Sequence, residues 1–247
     1  MEITERELRD MAATVDEAHH EAMAVFREQT ADLHHDVTHS RRRFLKGTVA
    51  GAGVAGAALA IGPTFAPTNR LLPKAGAQGL TDADIAAFAE SVELAAVAAY
   101  NMAAGVLSPA TKPVAMLFAQ HHQEHAGAFA ALAGEAATGA PNNALVTALT
   151  PQLQGIKNEK MALDFAFVLE NQAASTYAFG LTALMSPDAV SGAATILPIE
   201  SMHAGVLGAA NGKDLPGIFL TGAFLLAEVG DGTDPKKGLD PAVFPVG

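Results

Sequence analysis

A glutamate and a histidine three residues apart, Glu200 and His203, are the residues of this chain best placed to act together chemically. They lie in an apolar, alanine-rich run that predicts a helix, and helix positions i and i+3 share a face, so both side chains can reach one point. A carboxylate and an imidazole that converge in this way can ligate a metal ion. Because such tetrapeptides also arise by chance, the pair requires partners elsewhere in the chain.

Composition restricts the chemistry that the 247 residues can perform. There is no cysteine, which excludes disulfides, thiolate metal sites, thiol nucleophiles and a cysteine-linked lipid anchor. Any metal must therefore be bound by His, Asp and Glu. The formal net charge of -11 argues against nucleic acid and anionic membranes as partners, since both require clustered Lys and Arg.

Four apolar helical segments can supply the missing partners. The pattern predicts helices over about 81–107, 112–137, 155–185 and 188–210, with a short irregular or helical crossover at 142–154. Segments that are apolar on most faces are buried against several neighbours. Pro198 predicts a kink or a restart of the last helix just before Glu200. A short apolar helix at 218–228 and a loop tail follow.

An internal repeat connects these segments. In each half a lone glutamate is followed seven residues later by a tyrosine, and the two pairs are Glu93 with Tyr100 and Glu170 with Tyr177. Each of these helices then ends at a Ser-Pro dipeptide. A histidine follows the two glutamates after 32 and 33 residues, respectively, which makes His125 the counterpart of His203.

With this repeat the chain resembles the ferritin-like superfamily, in particular its exported ferritin-like domain proteins, over about residues 80–210. The resemblance implies an all-α fold: an antiparallel four-helix bundle with a long crossover between helices two and three. In the family pattern, lone glutamates on two helices and Glu-x-x-His pairs on the other two surround two metal ions. The metal ligands it implies here are Glu93, His122, His125, Glu170, Glu200 and His203. His122 stands where the family has glutamate, and it cannot bridge two metals as a carboxylate does.

Several other polar residues near these positions have simpler interpretations. Glu90, His121 and Glu124 are expected to be hydrogen-bonded core or boundary residues, although His121 can also be an outer group or an alternative ligand. Glu124 points about 100° away from His125 around the helix, so it is not expected to replace the missing glutamate. Tyr100 and Tyr177 are either core aromatics or partners of a metal ligand.

The pattern of the N-terminal third predicts a polar leader followed by an export signal. Residues 1–39 are polar, with a pattern compatible with partial helix; the histidine pairs His19-His20 and His34-His35 also leave a metal-collecting role open. Residues 40–77 resemble a twin-arginine signal peptide, with Ser40-Arg41-Arg42-Arg43-Phe44-Leu45-Lys46, an apolar run and the small residues Ala75-Gly76-Ala77. Residues 78–212 then form the ferritin-like bundle and 213–247 the short helix and tail. The expected location is outside the cytoplasmic membrane, in the periplasm or cell envelope, and an uncleaved signal would anchor the chain.

Two functions of different classes are compatible with this pattern. The first is a centre of two iron or manganese ions that reacts with oxygen or peroxide, with ferroxidase, peroxidase or catalase-like action and oxidation of an organic substrate all open. The second is a non-catalytic envelope or stress-protection protein with a structural metal or none, which the replacement by His122 keeps open. Binding of an apolar ligand between the helices has no sequence feature in its favour. The expected partners are the twin-arginine translocation machinery and a small oxidant, without nucleic acid, and a homo-oligomer is possible.

The twin-arginine pattern predicts that export requires Arg41 and Arg42. Changing Arg41 and Arg42 together to lysine should retain the precursor in the cytoplasm, because the twin-arginine pattern requires guanidinium groups at both positions. Fractionation of cells followed by immunoblotting measures this. Arg43 occupies the variable position of the pattern, so Arg43→Lys is the control, and normal export of the double variant would indicate another route.

Overall fold

The computed structural model of the chain describes residues 3–31, 33 and 80–213. The twin-arginine pattern, the apolar run, the small residues at 75–77, the histidine pair at 34–35 and the predicted helix at 218–228 lie outside these residues. Within the described part every regular element is helical. None of these helices combines the length and apolar character needed to cross a membrane.

Six α-helices are present in the described residues, and short 3₁₀ turns extend two of them. They are α1 (Glu5–Thr30), α2 (Asp82–Ala103), α3 (Lys112–Ala133), α4 (Asn143–Gly155), α5 (Glu159–Ala183) and α6 (Pro187–Ala210). The four predicted bundle helices correspond to α2, α3, α5 and α6. The crossover at 142–154 is itself helical, as α4, and this confirms one of its two predicted forms.

The bundle consists of two helix pairs that follow the internal repeat. α2 packs on α3 and α5 packs on α6, and the two pairs meet through α2 with α5 and through α3 with α6. α4 crosses the outside of α2. A buried core between the helices includes Phe88, Phe118, Leu163 and Ile199. The all-α ferritin-like bundle predicted from sequence is therefore confirmed.

Carboxylates near the helix ends hold the loops in place. Thr81 and Asp84 form a capping box at the start of α2. Asp82 accepts hydrogen bonds from the backbone N–H groups of Met185 and Ser186, which fixes the loop between α5 and α6 to α2. Glu159 accepts from the Ser108 N–H and the Thr111 hydroxyl, so α5 is fixed to the loop between α2 and α3.

Of the two predicted effects of Pro198, a kink or a restart of the last helix, the restart is not observed. α6 runs through Pro198 without interruption, although the missing N–H leaves the Ala194 carbonyl without its helical donor. Tertiary packing compensates for this loss, because Ile196 and Ile199 on either side of the proline are buried in the core. Glu200 and His203 therefore follow on the same continuous helix.

The helix α1 packs on the bundle, a contact that the sequence analysis did not predict. Its contacts are with α6 and, to a smaller extent, with α3. The buried side of α1 repeats every three or four residues, as expected for an amphipathic helix: it comprises Leu8, Ala12, Val15, His19, Met23, Phe26 and Thr30. The segment that the sequence presents as a polar leader thus covers the groove between α3 and α6.

The closest approach of α1 to α6 is at Gly192. A Cβ atom added there would lie 2.9 Å from Cγ2 of Thr30, closer than carbon atoms pack. Thr30 is buried and its hydroxyl donates to the Phe26 carbonyl at 2.8 Å, so its side chain has little freedom to move away. The absence of a side chain at residue 192 therefore allows α1 to lie against α6.

We predict that Gly192→Ala lowers the free energy of unfolding by about 1–3 kcal/mol, because the added methyl group overpacks the contact with Thr30. Gly205 is on the same helix and has no atom within 4 Å of its virtual Cβ, so Gly205→Ala is the matched control. The control should gain up to about 1 kcal/mol from helix propensity. Chemical denaturation of both variants measures the difference.

Thr30→Ser provides the confirming arm of this test, since it removes Cγ2 and keeps the hydroxyl. In the Gly192→Ala background it should recover most of the lost stability. A Gly192→Ala protein as stable as the Gly205→Ala protein would show that α1 does not press on α6 in solution.

Candidate metal centre

Six ionisable side chains converge at the centre of the bundle, and all four bundle helices contribute. Each is at most 3% exposed to solvent. They comprise one residue from α2, two from α3, one from α5 and two from α6, namely Glu93, His122, His125, Glu170, Glu200 and His203. Burial of so many ionisable groups is costly unless they compensate one another or bind ions.

The first of two overlapping groups contains Glu93, His122, His125 and Glu200. Each residue offers one ligand atom, and these atoms lie within 4.8 Å of one another. His122 Nδ1 lies 2.6 Å from a carboxylate oxygen of Glu93. His125 Nδ1 lies 2.9 Å from Glu200 Oε1 and 3.6 Å from Glu93 Oε2.

The second group contains His122, Glu170, Glu200 and His203 at the same spacing. His203 Nδ1 lies 3.2 Å from oxygens of both Glu170 and Glu200. His122 Nε2 lies 3.0 Å from Glu170 Oε1. The two groups share His122 and Glu200, and His122 directs one ring nitrogen toward the lone glutamate of each half.

The two tyrosines of the chain cross between the halves of the repeat. The Tyr100 hydroxyl, from α2, donates to Glu170 on α5, and the Tyr177 hydroxyl, from α5, donates to Glu93 on α2. Both tyrosines are buried. Burial, together with the nearby carboxylates, raises the pKa of each phenol well above its usual value, so both remain donors. Each lone glutamate therefore has one oxygen held by the tyrosine of the other half.

Comparison with known proteins supports the same interpretation. The family model of the ferritin-like domain matches residues 81–213, which is more than half of the chain. The chain belongs to the ferritin-like domain family. No curated protein and no solved structure matches it. The match begins at the N-cap of α2 and ends just beyond α6, so in this ferritin-like protein α1 lies outside the matched region.

The donor set fits metal ions of the kind that ferritin-like domains bind. His125 has both ring nitrogens, and Glu200 has its Oε1, without a hydrogen-bond partner among the described residues, although both side chains are fully buried. The 2.9 Å approach of these two residues does not have hydrogen-bond angles. Unpartnered buried polar atoms are rare, and ions between the carboxylates and imidazoles would satisfy them.

The residues divide naturally between two positions. Glu93 and His125 would hold one ion, Glu170 and His203 would hold the other, and Glu200 lies in both groups. Its two oxygens face different histidines: Oε1 lies 2.9 Å from His125, and Oε2 lies 3.2 Å from His203. A carboxylate with one oxygen on each side is suited to be shared between two ions.

Without ions, the carboxylates and imidazoles shift one another's pKa values. Burial opposes charge on Glu93, but the His122 imidazolium brings the pKa of this carboxyl down to about 2. Burial likewise opposes protonation of His125, yet Glu200 and Glu93 raise its pKa to about 9. The pKa values of His122 and His203 are also raised by the carboxylates around them. Metal binding must therefore displace protons from these imidazoles.

The simpler interpretations of the neighbouring residues agree with the structure. Glu90 is buried and accepts hydrogen bonds from the backbone N–H groups of Thr138 and Gly139, which anchors the loop after α3. Glu124 bonds to Gln120 on the outer side of α3 and belongs to neither group. His121 lies outside both groups as well, but its Nδ1 is 3.0 Å from His203 Nε2. It therefore contacts the ring nitrogen of His203 that is not the one facing the carboxylates.

Two polar residues of α1 approach this region, and the sequence analysis gave them no role in the bundle. His19 is fully buried and stacks on His121, and Asp16 lies 3.1 Å from His121 Nε2. Burial and the nearby His121 lower the pKa of His19 to about 2, so its ring is neutral. Its position within the apolar stripe of α1, between Val15 and Met23, is the sequence signal that could have indicated burial.

We predict that Glu200→Gln removes metal from the centre, because the variant keeps the volume of the shared side chain and loses its anionic oxygen. The metal content of purified protein should fall from about two ions per bundle to less than one. Elemental analysis by mass spectrometry measures this ratio. Glu124→Gln, on the outer side of α3, is the control and should keep the wild-type content; an unchanged ratio in Glu200→Gln would refute the proposed ligand set.

Proposed function

We propose that this chain is an exported ferritin-like protein whose bundle holds two iron or manganese ions that react with oxygen or peroxide. The observation that carries the proposal is the pair of overlapping ligand groups that share Glu200 and His122 at the buried centre of the bundle. When bound, such ions supply one-electron steps and reactions with oxygen or peroxide.

The residues around the centre would control the ligands and exclude water. All six candidate ligands are buried, so the site lies in a low-dielectric interior where charge interactions are strong. Tyr177 holds Oε1 of Glu93, whose Oε2 faces His122 and His125. Tyr100 holds Oε1 of Glu170, which His122 also contacts, and Oε2 of Glu170 faces His203. Outer contacts of this kind orient metal ligands and adjust their basicity.

His203 is positioned in the same way. Its Nδ1 faces the carboxylates of Glu170 and Glu200, and its Nε2 contacts His121. Phe118 stacks on the ring of His203 with centroids 4.1 Å apart. These contacts fix the ring plane before any ion binds, which lowers the cost of forming the site.

A non-catalytic role is the second candidate, and one observation favours it. His122 contacts Glu93 at 2.6 Å and Glu170 at 3.0 Å, so it compensates both lone glutamates without any ion. A bundle stabilised in this way does not require metal in order to fold. Such a protein would act in the envelope or in stress protection, with a structural metal or none.

The twin-arginine pattern at residues 40–46 supports the proposed export. The fold of the bundle is compatible with a route that carries folded proteins, because all six ligands lie within one compact set of helices. Loading of iron or manganese before export would avoid competition from zinc and copper, which bind such donor sets more tightly.

We predict that protein loaded anaerobically with ferrous iron consumes oxygen or peroxide faster than the Glu200→Gln variant given the same iron. The expected difference is at least about 10-fold, because even changes to residues beyond the direct ligands of a metal site reduce activity by this amount. An oxygen electrode and the ultraviolet absorbance of peroxide follow the two reactions. The experiment is repeated with manganous ion.

Glu124→Gln serves again as the control for surface-bound metal, and it should react at the wild-type rate. Equal rates in wild type and Glu200→Gln would exclude the redox proposal. If the wild type binds two ions that neither oxidant changes, the non-catalytic role is the correct one.

A further inference from the structure

A third cluster of metal-binding side chains lies where α1 meets the bundle. Asp16 and His19 from α1 and His121 from α3 each offer one ligand atom, and these atoms lie within 4.8 Å of one another. Asp16 Oδ1 is 3.1 Å from His121 Nε2. None of the three belongs to the two central groups.

His19 is the residue that requires an explanation. It is fully buried, and neither of its ring nitrogens has a hydrogen-bond partner among the described residues. Its ring lies parallel to that of His121, with centroids 3.8 Å apart and an interplanar angle of 11°. A buried polar group without a partner costs about 1–3 kcal/mol, so an apolar residue would serve better here if packing were the only role.

We propose that Asp16, His19 and His121 form a third metal site that binds one divalent transition-metal ion, separate from the dinuclear centre. Two imidazoles and one carboxylate are a donor set that suits ferrous iron and zinc, with the remaining coordination positions open to water or a small molecule. The ion would satisfy one of the two unpartnered nitrogens of His19.

The position of the cluster favours an exchangeable ion. The Asp16 side chain is 39% exposed, whereas His121 is 1% exposed. An ion that arrives from solvent would therefore meet the carboxylate before the buried imidazoles. His20 is not a member of the cluster. Its ring is exposed, and its Nδ1 lies 2.7 Å from the backbone carbonyl and 3.4 Å from the carboxylate Oδ1 of Asp16. The ion can therefore enter from the surface of α1 without passing through the bundle.

The test is an anaerobic titration of the full-length protein with Co²⁺, followed by its visible absorption and by equilibrium dialysis. Wild-type protein should bind one ion per chain more than His19→Gln, whereas Glu124→Gln, on the outer side of α3 and in none of the clusters, should bind as the wild type does. Asp16→Asn should weaken that ion by at least about 10-fold. Co²⁺ bound by any residues outside the cluster is the same in all variants and cancels in the comparison.

Equal Co²⁺ binding by wild type, His19→Gln and Asp16→Asn would overturn the proposal. Asp16 is on the surface, so Asp16→Asn decides the question if the His19 variant does not fold. The Glu200→Gln variant separates this site from the proposed function: it should lose the central ions and keep the one that depends on His19. If the central ions are absent from the wild type but the His19-dependent ion is present, the dinuclear centre fails and the third site stands.

Discussion

Compensation among buried ionisable groups is the constraint on which the bundle depends. Glu93, Glu170 and Glu200 lie between four helices at most 3% exposed, and each has a histidine nitrogen within 3.2 Å. No single helix can satisfy them, since every carboxylate meets a partner from another helix. The helices must therefore pack in the register that brings these groups together, and apolar residues fill the space around them.

His122 changes the charge of the site that this register creates. With histidine at the position where the ferritin-like pattern has glutamate, three carboxylates and three imidazoles would face bound ions instead of four and two. One negative charge fewer stabilises a higher oxidation state less, because Coulomb attraction is strong in a buried site. The same residue compensates both lone glutamates in the absence of metal. Its chemistry therefore favours reduced ions or an ion-free bundle.

The sequence repeat related Glu93 and His125 to Glu170 and His203, because its spacing indicates which residues share a helix face, and the resemblance to the ferritin-like pattern supplied the full set of six residues that the structure places at the centre. It could not show that each tyrosine bonds to the glutamate of the other half, which depends on how the two helix pairs are placed. The packing of α1 was also missed. Charged residues on the outer face of α1 make the composition of this segment polar. The apolar stripe that contains His19 is seen only when every third or fourth residue is compared.

The place of α1 in the chain has a consequence for maturation. α1 precedes the arginines of the proposed signal, and basic flanks of such segments stay on the cytoplasmic side. If the chain were cut after Ala77, the released bundle would part from α1, and the groove that Met23 and Phe26 fill would become a new apolar surface. The α1-covered form is therefore that of the chain before export, since an uncut chain with its arginines on the cytoplasmic side would also separate α1 from an exported bundle. Export would turn the α1-covered bundle into one whose groove between α3 and α6 is exposed.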